Sequence, residues 1–439
     1  MLGFVCFLCP GMYNALTGLG GGGQVNATVS ANSNSALYAT YAFFAFFSGT
    51  VNNKIGPKRT LLLGTLGYAL YIGSYLAINI HPNAGAFVEA AGALLGVTAA
   101  FLWTAQGSLM LSYATESQKG LFIGIFWAIF NMGAVVGSSV SLGQNFDSTV
   151  LGNGTYIGFL ILTLIGVTVP LMMASPESML RTDGTRPVVE RKPSWASEFY
   201  NLWLALWSDP MILLLFPMFF ASNYFYTWQF NDYNSALFDI RARALNNLAY
   251  WLSQIFGSFL IGYFVLDQKR MRRRVRAFTG WGILVALTFT VHIWAYFYQR
   301  TYTRVSIPDD AQKMDIHDPR YPAHVWLMIF YGLLDSMWQT CAMWLIGAMS
   351  NDANKLGVFS GFYHSIQSAG AAIVWRLDAI DTPYMNIFIS TWCIVAAGLA
   401  FALPMIHLRV KDHTTFEDET LMKQDRVEPA KVEKPIAED

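Results

Sequence analysis

The chain has 439 residues, of which 54% are hydrophobic, 15% aromatic and only 13% charged, with a mean hydropathy of +0.37. So few polar side chains exclude a soluble globular domain, and a net charge of zero excludes nucleic acid as a partner.

Apolar stretches recur along the sequence at membrane-crossing length. A hydrocarbon core of about 30 Å takes roughly 20 apolar residues in helical form, because backbone N–H and C=O groups in lipid must be satisfied within the segment. Spans are predicted at 1–19, 34–52, 60–80, 86–113, 119–143, 155–175, 209–229, 245–266, 277–299, 323–349, 356–377 and 384–407. The fold class is an all-α polytopic membrane protein of twelve transmembrane helices. Met1 to Gly18 lacks a basic n-region and reads as a span, not as a cleavable signal peptide; a missing cytosolic segment before it is a second account of its abrupt start. The run Gly20 to Gly23 has no following Lys-Ser/Thr, so it reads as a flexible turn and not as a phosphate loop. Cys6, Cys9, Cys341 and Cys393 all fall in apolar segments, and Cys6-x-x-Cys9 has no second ligand pair. No metal and no cofactor is expected.

Of the 28 Lys and Arg residues, 21 lie in the gaps after even-numbered spans or in the tail, counting Lys119 at the very start of span five. The positive-inside rule then places those gaps and both termini in the cytoplasm, for a protein of the plasma membrane or an endomembrane. The sequons at Asn26 and Asn153 both fall on the other side, where glycosylation is possible. The longest polar gap divides the chain into an N-terminal six-helix bundle (1–175), a cytoplasmic linker (176–208), a C-terminal six-helix bundle (209–407) and a disordered charged tail (408–439). The halves echo each other: Gly49 to Arg59 after span two is matched by Gly262 to Arg274 after span eight, and Pro10 by Pro217 at nearly the same offset. Duplicated bundles account for the echo, as does the general frequency of basic loops and prolines in membrane proteins.

The loop Gly49-x-x-x-Asn53-Lys54-x-Gly56, with Lys58 and Arg59, resembles the gating loop of the major facilitator superfamily. The runs Cys9-Pro-Gly-Met-Tyr-Asn-Ala-Leu-Thr-Gly-Leu-Gly20, Leu66-Gly-Tyr-Ala-Leu-Tyr71, Leu102-Trp-Thr-Ala-Gln-Gly107 and Gly124-Ile-Phe-Trp-Ala-Ile-Phe130 resemble its Unc-ninety-three-like family, the fungal members especially. The resemblance implies two six-helix bundles. Asn53 stands where the family loop usually has Asp, and Pro57 where it has a basic residue, which departs from a charge-based latch. For function the resemblance implies two classes: a secondary transporter of a small solute working by alternating access, or a non-transporting regulator or trafficking partner of another membrane protein such as an ion channel or receptor.

No hydrolytic, redox or nucleotide motif is present, so no enzyme activity is expected. Polar side chains at mid-membrane depth carry the functional reading, because an unpaired charge there costs at least about 2.5 to 3.5 kcal/mol. Asp335 lies near the middle of span ten, and helical spacing sets Tyr331, Trp338 and Gln339 on its face. It is the candidate for proton coupling; the alternative is a structural Asp hydrogen-bonded to a neighbouring helix. Comparable polar stripes occur in span four (Trp103, Gln106), span eight (Asn247, Trp251, Gln254) and span eleven (His364, Gln367). Asn14, Asn131 and Asn223 join them in spans one, five and seven. These residues either line a cavity for a polar or amphipathic neutral solute or make interhelical hydrogen bonds, each worth about 0.6 kcal/mol. Glu89, Arg376 and Asp378 lie at span ends, where snorkelling to water favours a rim or gate role. Gly92-x-x-x-Gly96, Gly120-x-x-x-Gly124, Gly133-x-x-x-Gly137 and Gly357-x-x-x-Gly361 read as close helix contacts. The basic cluster from Lys269 to Arg276 suits membrane lipid headgroups, and the polar gap 300–322 suits a lid or a partner-binding loop.

Overall fold

With no water at mid-membrane to pair with, the backbone of each apolar stretch closes on itself, and every predicted span except the seventh coincides with helix in the computed structural model. The structure describes residues 1–23, 27–113, 119–146, 151–174, 200, 203, 207, 209–268, 270–307, 312–349 and 353–411. Asn26, Lys269, nearly all of the linker 176–208, the tail from 412 and the side chain of Asn53 lie outside the described residues.

Spans two to six are Thr28–Ile55, Pro57–Ile80, Gly85–Tyr113, Lys119–Gln144 and Asn153–Thr168, the last running on as a 3₁₀ turn to Met172. Spans eight to twelve are Ile240–Ile261, Arg273–Gln299, Tyr321–Met349, Ala353–Ala379 and Tyr384–Arg409. Among the described residues, seven helices are long and apolar enough to cross a membrane by length and composition alone. Span one is broken into Leu2–Leu8 and Pro10–Gly18, because Pro10 has no N–H to continue the ladder.

Span seven departs most from expectation. It does not end at 229 as a plain crossing, but runs as Pro210–Leu215, Phe216–Ala221 and a π-helical turn, Trp228–Ser235. All eight residues of that turn, Trp-Gln-Phe-Asn-Asp-Tyr-Asn-Ser, are buried despite their polarity. A polar run reads as a solvated loop on hydropathy, yet here Trp228, Asn231, Tyr233 and Asn234 are paired across the protein interior.

Two of the small-residue motifs do bring helices into close approach. A Cβ on Gly92 or Gly96 would strike the Ser33 or Leu37 carbonyl of span two, and one on Gly133 the Phe7 carbonyl of span one. Gly361 faces open space, so the expected close contact is absent there. Between the halves, span two packs on span eleven and span five on span eight. Ser35 and Ser365 pin the first pair, donating to Ala372 O at 3.0 Å and Ala42 O at 2.8 Å. Alternating helix directions leave two ends: a basic end carrying Lys54 to Arg59 and Arg270 to Arg276, and an opposite end carrying Gly20 to Gly23, Asn153 and the 300–322 segment.

Candidate functional site

Span ten places Asp335 inside the C-terminal half with 1% of its surface exposed. Its Oδ2 accepts from Tyr226 Oη at 2.9 Å, Tyr250 Oη at 3.0 Å and Gln254 Nε2 at 2.5 Å, and its Oδ1 from Gln339 Nε2 at 3.3 Å. All four donors are neutral. Hydrogen bonds to a charged group are worth about 1.5 to 3 kcal/mol each, so this shell can hold an ionised carboxyl without a cation.

The same shell can also hold the protonated form. The Tyr250 hydroxyl carries one proton and faces two acceptors, Asp335 Oδ2 and, at 2.9 Å, Gln229 Oε1. With Asp335 ionised, Tyr250 donates to it. With Asp335 protonated, Tyr250 turns to Gln229 and its oxygen accepts the new carboxyl O–H. One hydroxyl rotation thus serves both states, and spans seven, eight and ten all supply parts of the switch.

From Asp335 a chain of amides runs toward the middle of the protein. Gln339 Nε2 also donates to Ser222 O at 2.7 Å and Asn223 Oδ1 at 3.3 Å, while its Oε1 accepts from Tyr363 Oη. Gln367 Nε2 reaches Asn223 Oδ1 at 2.9 Å. Asn223, Tyr226, Gln339 and His364 are only half-buried, as are Asn14, Trp103 and Gln106 from the N-terminal half, whereas Asn131 is buried. The His364 ring stacks with Tyr41 and Trp103, each 6.5 Å away, and so joins the two halves.

Three of the candidates serve packing in this structure. Trp338 Nε1 donates to Ser222 Oγ at 3.1 Å, tying span ten to span seven. Asn247 Nδ2 donates to Ala15 O of span one at 2.7 Å, and its Oδ1 accepts from Trp251 Nε1 at 2.7 Å.

The opposite end holds contacts between the halves that sequence reasoning passed over. Gly20 to Gly23 form a left-handed run, with φ of 73°, 55°, 61° and 77°, which side chains rarely tolerate. The run is buried and gripped by the C-terminal half, in contrast to the flexible turn expected from its composition. Gly21 N–H donates to Asn231 Oδ1 at 2.7 Å, Asn234 Nδ2 donates to Gly18 O at 3.0 Å, and Arg243 donates to Leu19 O at 2.6 Å and to Gly20 O. Arg376 Nη1 of span eleven adds a bond to Asn32 Oδ1 of span two at 2.7 Å. Asp378 does not snorkel as expected; it is buried against Arg304 and Asn231. The described residues of the 300–322 segment fold down over this end, with Met314 paired to Leu237 and Asp239 through backbone bonds, and Arg241 held bidentately by Asp315. Asp309 and Asp310 of that segment lie outside the described residues.

At the basic end, Gly49 has open space where a Cβ would stand and Gly56 turns the chain at φ 87° into Pro57, with Lys54 and Arg59 exposed and Lys58 half-exposed. Asn153 is exposed at the opposite end, where its Oδ1 accepts from Asn79 Nδ2 at 2.6 Å.

Comparison with known proteins follows the same lines. The family model of the Major Facilitator Superfamily matches residues 4–374. An UNC93-like protein of Schizosaccharomyces pombe is 46% identical over 423 residues, covering 95% of this chain and 84% of that one. UNC93-like protein 1 of Arabidopsis thaliana is 39% identical over 419 residues, covering 94% and 90%. Among solved structures, the xylose transporter XylE from E. coli, in a partially occluded inward-open conformation, superposes with a TM-score of 0.62 at 12% identity, covering 94% of this chain and 97% of that one.

Proposed function

That the chain belongs to the Major Facilitator Superfamily, and within it to the UNC93-like proteins, is the premise from which we propose a secondary transporter of a small neutral or amphipathic solute, coupled to protons through Asp335. Two bundles, 1–175 and 209–407, joined by the cytoplasmic linker 176–208, rock about a midplane site. The basic end, with both termini and the Gly49 to Arg59 loop, faces the cytoplasm. Asn14, Trp103, Gln106 and His364 contact the solute from one side, and Asn223, Gln339 and Gln367 from the other.

The observation that carries this reading is the Tyr250 hydroxyl set between Asp335 and Gln229. A structural Asp needs donors for one state only, whereas this shell can satisfy two. Because Gln339 bonds both to Asp335 and to the half-buried Asn223, proton uptake and solute contact share a side chain.

The test is uptake into reconstituted vesicles, screened first by comparing solutes taken up by deletion and overexpressing cells. Asp335→Asn should abolish proton-driven accumulation while leaving expression and counterflow intact. Unchanged accumulation removes Asp335 from the mechanism. If no solute moves and a stoichiometric membrane protein copurifies, the chain is instead a regulator or trafficking partner.

A further inference from the structure

A second carboxyl site lies apart from Asp335, at the opposite end, just past the predicted limits of spans seven and eleven. Asp232 is fully buried, and neither of its side-chain oxygens has a hydrogen-bond partner. The Asp378 carboxyl lies beside it. One cation serves both: Arg304 Nη2 is hydrogen-bonded to Asp378 Oδ1, stands 3.8 Å from Asp232 Oδ1, and its Nε donates to Thr382 O at 2.7 Å. Asp378 Oδ2 is taken by Asn231 Nδ2 at 2.7 Å. The remaining groups facing the pair are the Tyr384 ring, 4.2 Å from the guanidinium, Tyr302, whose hydroxyl donates to the Asp232 carbonyl at 2.9 Å, and Asp381, largely exposed and 3.9 Å from Arg304.

This arrangement is one proton short. Two enclosed carboxylates against one guanidinium leave a buried negative charge without a donor, and the cost of that exceeds what a residue near water would bear. As a carboxylic acid, Asp232 gains an O–H to give to Asp378, and the cluster becomes neutral. A metal ion is the poorer occupant, since the Arg304 guanidinium already stands at the free oxygens.

We propose that Asp232 carries a proton, given to Asp378 as a hydrogen bond, while the opposite end is closed, and releases it when the two halves part there. The link is Asn231, next to Asp232 in the chain, which holds Asp378 with its amide N–H and receives the Gly21 N–H of the N-terminal half on its oxygen. Lifting the glycine run away takes a partner from Asn231, loosens its hold on Asp378 and lets water in to the carboxyl pair. Once hydrated, Asp232 ionises, and its bare charge opposes reclosure until a proton returns. The inference rests on the alternating-access reading only in requiring that the halves part at this end; it needs neither a solute nor Asp335.

The experiment uses the full chain in oriented vesicles, with Thr17→Cys as reporter in a Cys393→Ser background and a membrane-impermeant maleimide added on the Gly20 to Gly23 side. Labelling is normalised at each pH to that of Val305→Cys, a fully exposed position, to remove the reagent's own pH dependence. One linked proton changes the closed-to-open ratio by up to about tenfold per pH unit, so normalised labelling should rise at least about tenfold from pH 5 to pH 8. Asp232→Asn, the shape of the protonated residue, should stay closed and pH-independent. Asp378→Asn, which leaves Asp232 paired with Arg304 alone, should also lose the pH response, and Asp335→Asn should keep it. A pH response unchanged in both Asp232→Asn and Asp378→Asn overturns the proposal, as does a response to sodium in place of protons. If Arg243→Ala makes Thr17→Cys reactive but pH-independent, the halves do part and only the proton site fails. If no variant labels at any pH, the opening itself is absent and both readings fail.

Discussion

Replacing Arg243 by Ala should open the opposite end. Arg243 is 6% exposed, and its guanidinium holds the Leu19 carbonyl at 2.6 Å and the Gly20 carbonyl, both from the other half of the protein. Each is a charge-assisted bond worth about 1.5 to 3 kcal/mol. In the open form water replaces both, so their loss falls on the closed form alone. Taking the lower value for each, the closed state loses about 3 kcal/mol, roughly a 150-fold shift toward open. Impermeant-maleimide labelling of Thr17→Cys, a residue 7% exposed at the end of span one, reads that shift directly. Arg243→Ala should label about a hundredfold faster, with Arg243→Lys in between because one ammonium lacks the fork that spans two carbonyls. An unchanged rate in a monodisperse, thermally stable Arg243→Ala protein would refute the assignment of these bonds to the gate.

Other substitutions probe the frame around the site. Gly96→Leu should abolish the folded monodisperse peak in size-exclusion chromatography, since its Cβ would meet the Leu37 carbonyl, whereas Gly361→Ala, facing open space, should run as the parent. Arg409 and Asp209 form an ion pair at 2.9 Å with side chains 11% and 5% exposed. Breaking it from either side should cost about 3 to 5 kcal/mol, and the double replacement by apolar residues less than either single one, read as thermal unfolding in detergent. Asn153→Gln should shrink the mobility change produced by endoglycosidase by one glycan relative to the parent, and Asn26→Gln combined with Asn153→Gln should abolish it; a parent with no such change argues against the proposed orientation.

The spans were legible because hydropathy over some 20 residues measures the one thing lipid demands of a backbone. Asp335 was legible for the same reason, its depth following from its position between the ends of span ten. What could not be read was the company it keeps. Tyr226 and Tyr250 come from spans seven and eight, more than 80 positions away in the chain, and no local pattern pairs them with Asp335. Asn231, Asn234, Arg243 and Arg304 failed differently. Hydropathy treats a polar side chain as one that needs water, and these are satisfied by glycine-run backbone and by buried neighbours. The left-handed glycines make that possible: four residues without Cβ bring bare backbone groups within reach of amides and a guanidinium from the other half. A seal built from backbone carbonyls and N–H groups releases cleanly, because each group it frees is hydrated as soon as the end opens. An apolar plug would bind its partner half with no such replacement. The polarity that disguised this end as loop is therefore what suits it to open and close, and its buried carboxyl pair sits where that opening admits water.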